Sequence, residues 1–391
     1  MHRRLLLLLA ESPVHAGGSE ARGAVDLPIQ REAGTGLPVI WGQSLKGALR
    51  QTARDAGWAE AECTAVFGSP PPRRDVPAAG TFPTGTAAND GVPAANPAPP
   101  RTPAAPMAPP SRVLTKGAVS VGDAQLLAFP VATLRNLYAW ATGELLLSRL
   151  RRKLALLGVP DTATTVIGGP ALADGAVAGA SGWATSHAQV LGPFLATVTH
   201  EPAVRSLGAA LANLTCPTSP VFEFTRTKMT SDLLVADHTT LGELTQTGTD
   251  VVARVQLYEK AKTVANGPFY SEHLPAETVL AAVLAGTSAE LLDRLCTLVD
   301  NQPITLGGDE TIGKGLLWCR VHTAATATTA LTTDTEPTTT ATPTATSSTA
   351  ADTANAPAHP APAPTRAMPA PPKPGPRPGA GAPQAGGGRR G

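Results

Sequence analysis

Leucine occupies every position from Leu5 to Leu9, and Glu11, Ser12 and Pro13 end the run. A continuous apolar stretch this short, bounded by turn-forming residues, reads as a strand buried on both faces. It predicts a first strand at the centre of a sheet, with chain packed above and below it. The segment MHRRLLLLLAESPVHA imitates a secretory signal, but its apolar run is shorter than such signals need and Glu11 interrupts it at once. No other apolar run approaches the ~20 residues of a membrane span. The expectation is a cytoplasmic protein with no membrane partner.

Two stretches of the 391 residues are too poor in large apolar side chains to join a core. From about 69 to 112 the chain is dominated by Pro and Ala, and from 323 to 391 by Thr, Ala, Pro and Gly. Such segments bury too little surface to offset the entropy of ordering, so the first reads as an extended insertion and the second as a disordered tail. Roughly 280 residues remain, enough for one elaborated domain over 1–322. Cys63, Cys216, Cys296 and Cys319 are widely spaced and show neither a C-x-x-C pair nor a Cys/His cluster, which argues for reduced thiols.

Beyond the first strand, His15 to Gly42 is rich in Gly and Pro and reads as a long loop. Ser44 looks like the N-cap of a helix over Leu45 to Ala56. Val119 to Phe129 alternates like a strand, Val131 to Gly143 reads as a helix, and Leu145 to Leu157 as a helix with a basic face of Arg149, Arg151, Arg152 and Lys153. From Asp161 to about Leu214 the pattern supports only short helices. Val221 to Phe224 and Val251 to Leu257 read as strands. Glu277 to Leu284 and Ser288 to Val299 fit either two helices or a strand and a helix, and Leu316 to Val321 is a last strand. This order suggests an α+β fold with helices on one face of an antiparallel sheet.

Gly308-Asp-Glu-Thr-Ile-Gly313-Lys314 matches most of a phosphate-binding P-loop. Gly315 stands where that motif needs Ser or Thr, and a strand follows where it needs a helix. A turn between two strands is the better reading, and a backbone-lined RNA phosphate contact through Gly313 and Lys314 is compatible with it. Net charge is only +1, so any nucleic-acid contact must be local; residues 1–54 carry seven Lys/Arg against four acids.

The most informative segment runs SPVHAGGSEARGAVDLPIQREAGTGLPVIWGQSLKGALRQTAR. A strand, a His-x-Gly loop, D-x-P-I-Q-R-E, and then T-G-L-P-V-I-x-G-x-S-L-K-G-A-L-R resemble the RAMP superfamily of CRISPR proteins. Within it they resemble the backbone-subunit family of the Cmr (type III-B) effector. FPVATLRNLYAWAT, VVARVQLYEKAKTVANGPFYSEHLP and TLGGDETIGKG follow in the family's order. The resemblance implies a ferredoxin-like, RRM-related palm with an inserted thumb. It implies a filament of copies, joined by other Cmr-type subunits, along a guide (CRISPR) RNA. It also implies metal-dependent cleavage of paired single-stranded target RNA at regular intervals, within the assembled complex, by a loop aspartate. Asp26 holds that aspartate's place. A non-catalytic, purely structural guide-binding subunit is the alternative.

The residues bear a physical reading of their own. Lys46 and Arg50 lie i,i+4 on one helix face, where their cations suit consecutive phosphates, and the helix start at Ser44 offers free N–H groups; solvated surface charges are the plainer reading. Arg22 and Arg31 flank Asp26. A carboxylate among phosphates suits a divalent cation such as Mg2+ or the orienting of a ribose 2′-hydroxyl, whereas a lone loop aspartate ordinarily caps a turn. His15 suits acid–base work, or a packing role that fixes its loop. Glu272 and His273 fall where the family places polar residues near the same cleft, and turn roles fit them equally.

Overall fold

The structure is a computed structural model that describes residues 1–18, 23–70, 114–258 and 262–333. The N-terminal strand His2–Ala10 pairs antiparallel with Val279–Gly286 on one side and Leu316–His322 on the other. Because side chains alternate along a strand, Leu6 and Leu8 enter one core and Leu5, Leu7 and Leu9 the other. Leu5 to Leu8 are fully buried. At about 1.5–3 kcal/mol for each buried leucine, this strand alone is a large part of what holds the two layers to the sheet.

The sheet runs in the order 303–305, 316–322, 2–10, 279–286, 124–132, 138–142, 233–236, 177–179, 198–200. Most pairings are antiparallel; Leu233–Ala236 with Tyr138–Thr142 and Val177–Gly179 with Val198–His200 are parallel. Helices cover both faces, not the single face expected. Gly42–Asp55, Glu60–Phe67 and Ala289–Val299 bury Leu45, Leu49, Phe67 and Leu292 against Leu6 and Leu8. Glu144–Leu157, Pro202–Thr215 and Ala324–Thr332 bury Leu150, Leu154, Leu211 and Ala327 against Leu5 and Leu7. The last of these helices, opened by a Thr323/Thr326 capping box, carries the fold beyond residue 322. The rest of the expected tail, and residues 71–112 of the Pro-rich insertion, lie outside the described residues.

Several local expectations change. Val131 to Gly143 is not a helix but the turn and second arm of a hairpin, Ala124–Ala132 with Tyr138–Thr142, whose pairing buries Phe129 and Trp140. Val221 to Phe224 is not a strand; a 3₁₀ turn, Pro220–Phe222, opens the helix Glu223–Ser231. The stretch from 161 opens with the short helices expected, Asp161–Thr164 and Thr165–Ile167, but goes on to four short strands and the 14-residue helix Pro202–Thr215. Residues 279–286 form a strand, settling the alternative left at 277–284. The helix expected from Leu45 begins at Gly42, and its cap is Trp41, so Ser44 lies inside the first turn.

The glycine loop joins Pro303–Thr305 to Leu316–His322. Gly315 has φ +80°, and a Cβ there would lie 2.2 Å from the Leu306 carbonyl oxygen, so only glycine fits. A turn between strands accounts for the glycines, and no helix follows them to build a P-loop.

Candidate active site

The long loop after the first strand is clamped between two segments. Leu27 N–H donates to the Tyr270 carbonyl (3.0 Å) and Glu272 N–H to the Leu27 carbonyl (2.9 Å), so the loop lies along the strand Val264–His273. On the other side Gly18 N–H donates to Pro28 O (2.7 Å) and Gln30 N–H to Ala16 O (2.8 Å). Asp26 stands at the outer end of this clamp. Its side chain is exposed, and one carboxylate oxygen accepts the Tyr270 N–H at 2.7 Å. A loop acid free to wave is thereby a carboxylate of fixed direction, with one oxygen spent and the other open to solvent.

Behind it lies a buried ion pair. Glu272 accepts from Arg31 Nη2 (2.7 Å), Thr249 Oγ1 (2.9 Å) and Ile29 N–H (3.1 Å), with both side chains under a tenth exposed. Burial opposes ionisation of this carboxyl, but the Arg31 guanidinium and the two other donors hold it below the ordinary carboxylate range. Arg31 also donates to the Gly36 and Thr245 carbonyls. Arg31 is therefore not a cation facing outward beside Asp26, and Glu272 is not an open acid; together they fasten the loop. Arg22 lies outside the described residues.

The His15 and His273 rings meet in a tilted contact, 5.3 Å between centroids. His15 Nδ1 is 2.6 Å from the Glu272 carbonyl, and because a carbonyl only accepts, Nδ1 carries the proton. His273 Nε2 is 3.3 Å from Asp309, whose carboxylate also takes two hydrogen bonds from Arg254 at 2.7 and 2.9 Å. Burial pushes the His273 imidazole down, against the pull of Asp309. This set ties the glycine loop to the hairpin Asp250–Leu257/Val264–His273, and Gly308 N–H closes it on the His15 carbonyl (2.9 Å). Lys314 lies close enough for its charge to bear on His273, while Gly313 is exposed with φ +80°.

On the helix Gly42–Asp55, Lys46 has no carboxylate partner among the described residues, and burial together with the nearby Arg50 charge lowers its pKa. Arg50 is engaged, donating to Gly68 O (2.7 Å) and lying over the Phe67 ring. The helix start is less open than expected, because Asp123 accepts the Gly42 N–H at 2.6 Å. Ser44 lines a groove of about 590 Å³ with Gln43, Gln51, Thr305 and Gly307, which brings it to the glycine loop. Lys46 and Arg50 occupy the adjoining stripe of the helix.

Gln30 was not singled out by sequence reasoning and is the hinge pin of the arrangement. Its amide donates to Gly17 O (3.1 Å) and Ser44 Oγ (3.0 Å) and accepts the Trp41 N–H (2.6 Å). It couples the Asp26 loop to the Lys46 helix. The available signal was a glutamine beside Ile29 in a turn-rich loop, where a buried amide must find three partners. Among the described residues no three His, Cys, Asp or Glu side chains gather to hold a metal ion. No helix among them is long and apolar enough to cross a membrane.

Known proteins share this architecture. The CRISPR system Cmr endoribonuclease Cmr4 of Pyrococcus furiosus is 28% identical over 331 residues, covering 81% of this chain and 95% of that relative. The crystal structure of oligomeric Cmr4 from the same organism superposes with a TM-score of 0.57 at 24% identity, covering 83% of this chain and 99% of that one. A chain of the type III-B Cmr-beta complex bound to cognate target RNA superposes with a TM-score of 0.58 at 16% identity, covering 84% and 99%. The RAMP superfamily profile itself matches residues 8–318, so most of the chain is accounted for, and the protein belongs to the RAMP superfamily.

Proposed function

We propose that this protein is the backbone subunit of a type III-B CRISPR RNA-guided complex, binding guide RNA along a filament and cutting the paired target RNA beside Asp26. The observation that carries the reading is an exposed loop carboxylate, aimed by the Tyr270 N–H, on a loop pinned through Gln30 to a helix whose Lys46 has no carboxylate partner among the described residues. The relative named an endoribonuclease, the oligomeric crystal form and the target-bound complex support the same reading. The sheet with its flanking helices serves as a ferredoxin-like, RRM-related palm. The two-stranded hairpin at 250–273, which exposes Val251, Val252, Val255 and Leu257, serves as the thumb. The complex works in the cytoplasm, with further copies and other Cmr-type subunits as partners.

In this reading Lys46 meets guide phosphates without regard to base, leaving sequence to base pairing. The free oxygen of Asp26 accepts the hydrogen of a target ribose 2′-hydroxyl and turns that oxygen toward its own phosphorus. The 2′-oxygen gives its proton to Asp26 and bonds to phosphorus as the P–O5′ bond breaks, the leaving 5′-oxygen takes a proton from water, and a 2′,3′-cyclic phosphate and a 5′-hydroxyl result. A lone carboxylate suits Mg2+, which commonly takes one or two protein carboxylates and fills its shell with water and phosphate oxygens. Bound there, it would supply charge stabilisation at the phosphate. His15, Glu272 and His273 hold the loops that present Asp26 and position it indirectly.

The test is cleavage of a long guide-matched RNA by the assembled complex carrying Asp26→Ala. Loss of evenly spaced products with cyclic phosphate ends is expected, with folding intact, since the exposed side chain forgoes one hydrogen bond worth about 1 kcal/mol. Undiminished cutting would assign the protein a structural role alone.

A further inference from the structure

A second cationic site lies away from Asp26. A cavity of about 350 Å³ opens beside Gly122, lined by Arg149, Arg152, Lys153 and Leu156. Its charges are unevenly matched. Arg149 is satisfied by Glu32 through two hydrogen bonds (3.0 and 2.8 Å). Asp123, which also lines the cavity, accepts the Gly42 N–H through one oxygen and keeps its negative charge, so the lining holds three cations, one of them paired with Glu32, against one carboxylate. Lys153 reaches only the neutral Gln125 Oε1 (2.5 Å), and Arg152 only the Ser148 hydroxyl (2.8 Å), so neither has a carboxylate partner among the described residues. Burial, then Arg149 and Arg152, push the Lys153 ammonium down to about 8. A cation held against its own kind is what an arriving anion stabilises.

The cavity does not stand alone. Leu156 also lines a neighbouring one of about 650 Å³ with Met1, His2, Arg3 and Arg4. Arg3 spans the junction by donating to Leu156 O (3.1 Å). Arg4 there is paired with Asp293, which leaves Arg3 as the cation at the junction, and two adjoining hollows suit a repeating anion better than a single small one. Glu32 also belongs to the loop that carries Asp26, so Arg149 ties the helix Glu144–Leu157 to that loop.

We propose that the cavity formed by Arg152, Lys153 and Gly122 is a binding site for the phosphodiester backbone of an RNA strand, additional to the Lys46 contact. The inference rests on the chain being an RNA-binding subunit. It assigns to the helix Glu144–Leu157 a share of RNA affinity with no share in chemistry.

The experiment titrates the full chain into fluorescently labelled single-stranded RNA of mixed sequence between about 0.05 and 0.2 M salt. Each phosphate contact on a single strand contributes about 0.7 to the slope of log affinity against log salt, hence about fivefold in affinity near 0.1 M. R152A/K153M should lower the slope by about 1.4 and weaken binding by about 25-fold. R152A alone, an exposed change that leaves the fold intact, should cost about fivefold. Arg151→Ala, on an exposed position outside the cavity, should change neither. Unchanged slope and affinity in R152A and the double variant, with Lys46→Ala weakened, would overturn this site alone. Absence of RNA binding by the unaltered chain would overturn the broader reading with it. Loss in the double variant of binding to a polyglutamate peptide, with RNA binding intact, would overturn it in favour of an acidic protein segment.

Discussion

Glu272→Gln tests whether the Asp26 loop owes its position to a buried charge pair. The change keeps shape and size while removing the charge opposite Arg31. Arg31 and Glu272 are 8% and 7% exposed, so the guanidinium left behind has little water to turn to. It retains the Gly36 and Thr245 carbonyls, and the glutamine oxygen can keep one or two of the three donors now met. Breaking a buried pair by removing one partner costs about 3–5 kcal/mol, and the surviving hydrogen bonds place this case near 3. For a domain of this size that is a fall of roughly 6–12 °C in Tm. The sign with pH follows from the depressed Glu272 carboxyl: its contribution is complete above the unfolded value of 4.5 and is lost as pH falls through the lower folded value. The gap between native and variant Tm should therefore be full at neutral pH and close below about 4.5. Calorimetric melts of both chains across that range, with Arg31→Met completing a double-mutant cycle, give the coupling directly. A coupling under about 1 kcal/mol at neutral pH, or a gap independent of pH, would refute the reasoning.

Four further outcomes are expected. Gln30→Ala should destabilise by about 2–4 kcal/mol, because it removes three hydrogen bonds and leaves the Trp41 N–H unmet; chemical denaturation measures it. Gly315→Ser should cost at least about 2 kcal/mol through its positive φ and the clash with Leu306 O, and should create no nucleotide site, as equilibrium dialysis with ATP would reveal. Lys46→Ala should leave Tm within the range of about 0.5 kcal/mol and lower guide RNA affinity about fivefold near 0.1 M salt. His273 is buried with its pKa below the ordinary 6.5, so the unfolded chain binds the extra proton. Its contribution is complete above about 6.5 and is lost as pH falls from there, an effect that His273→Asn should remove from a pH series of melts.

The leucine run was the most legible part of the chain. Burial on both faces was readable from Leu5 to Leu9, and it already required helices above and below the sheet; reading helices onto one face overlooked that demand. Val131 to Gly143 misled because apolar residues at mixed spacing fit a helix as well as a hairpin, and the pairing of Phe129 with Ala141 is a contact no local pattern contains. The same limit applies to charges. Lys46, Arg50 and Arg31 look alike in sequence, yet only the fold shows that Arg50 is tied to Gly68 and Arg31 to Glu272, while Lys46 has no carboxylate partner among the described residues. Asp26 was singled out through the motif around it; that the Tyr270 N–H bonds it, and that Gln30 anchors its loop, depended on segments some 240 and 14 residues away.

All four cysteines of the chain are free and buried, and burial pushes Cys216 and Cys296 up to about 12 and raises Cys63 and Cys319 as well. Only the thiolate attacks an alkylating reagent, so the native protein should be silent toward maleimides. A cysteine introduced on the projecting hairpin, for example Val252→Cys, would then be the sole reactive handle, with no native thiol removed. A dye placed there would report on the surroundings of this hairpin, while slow labelling of the four native thiols would clock spontaneous opening of the core.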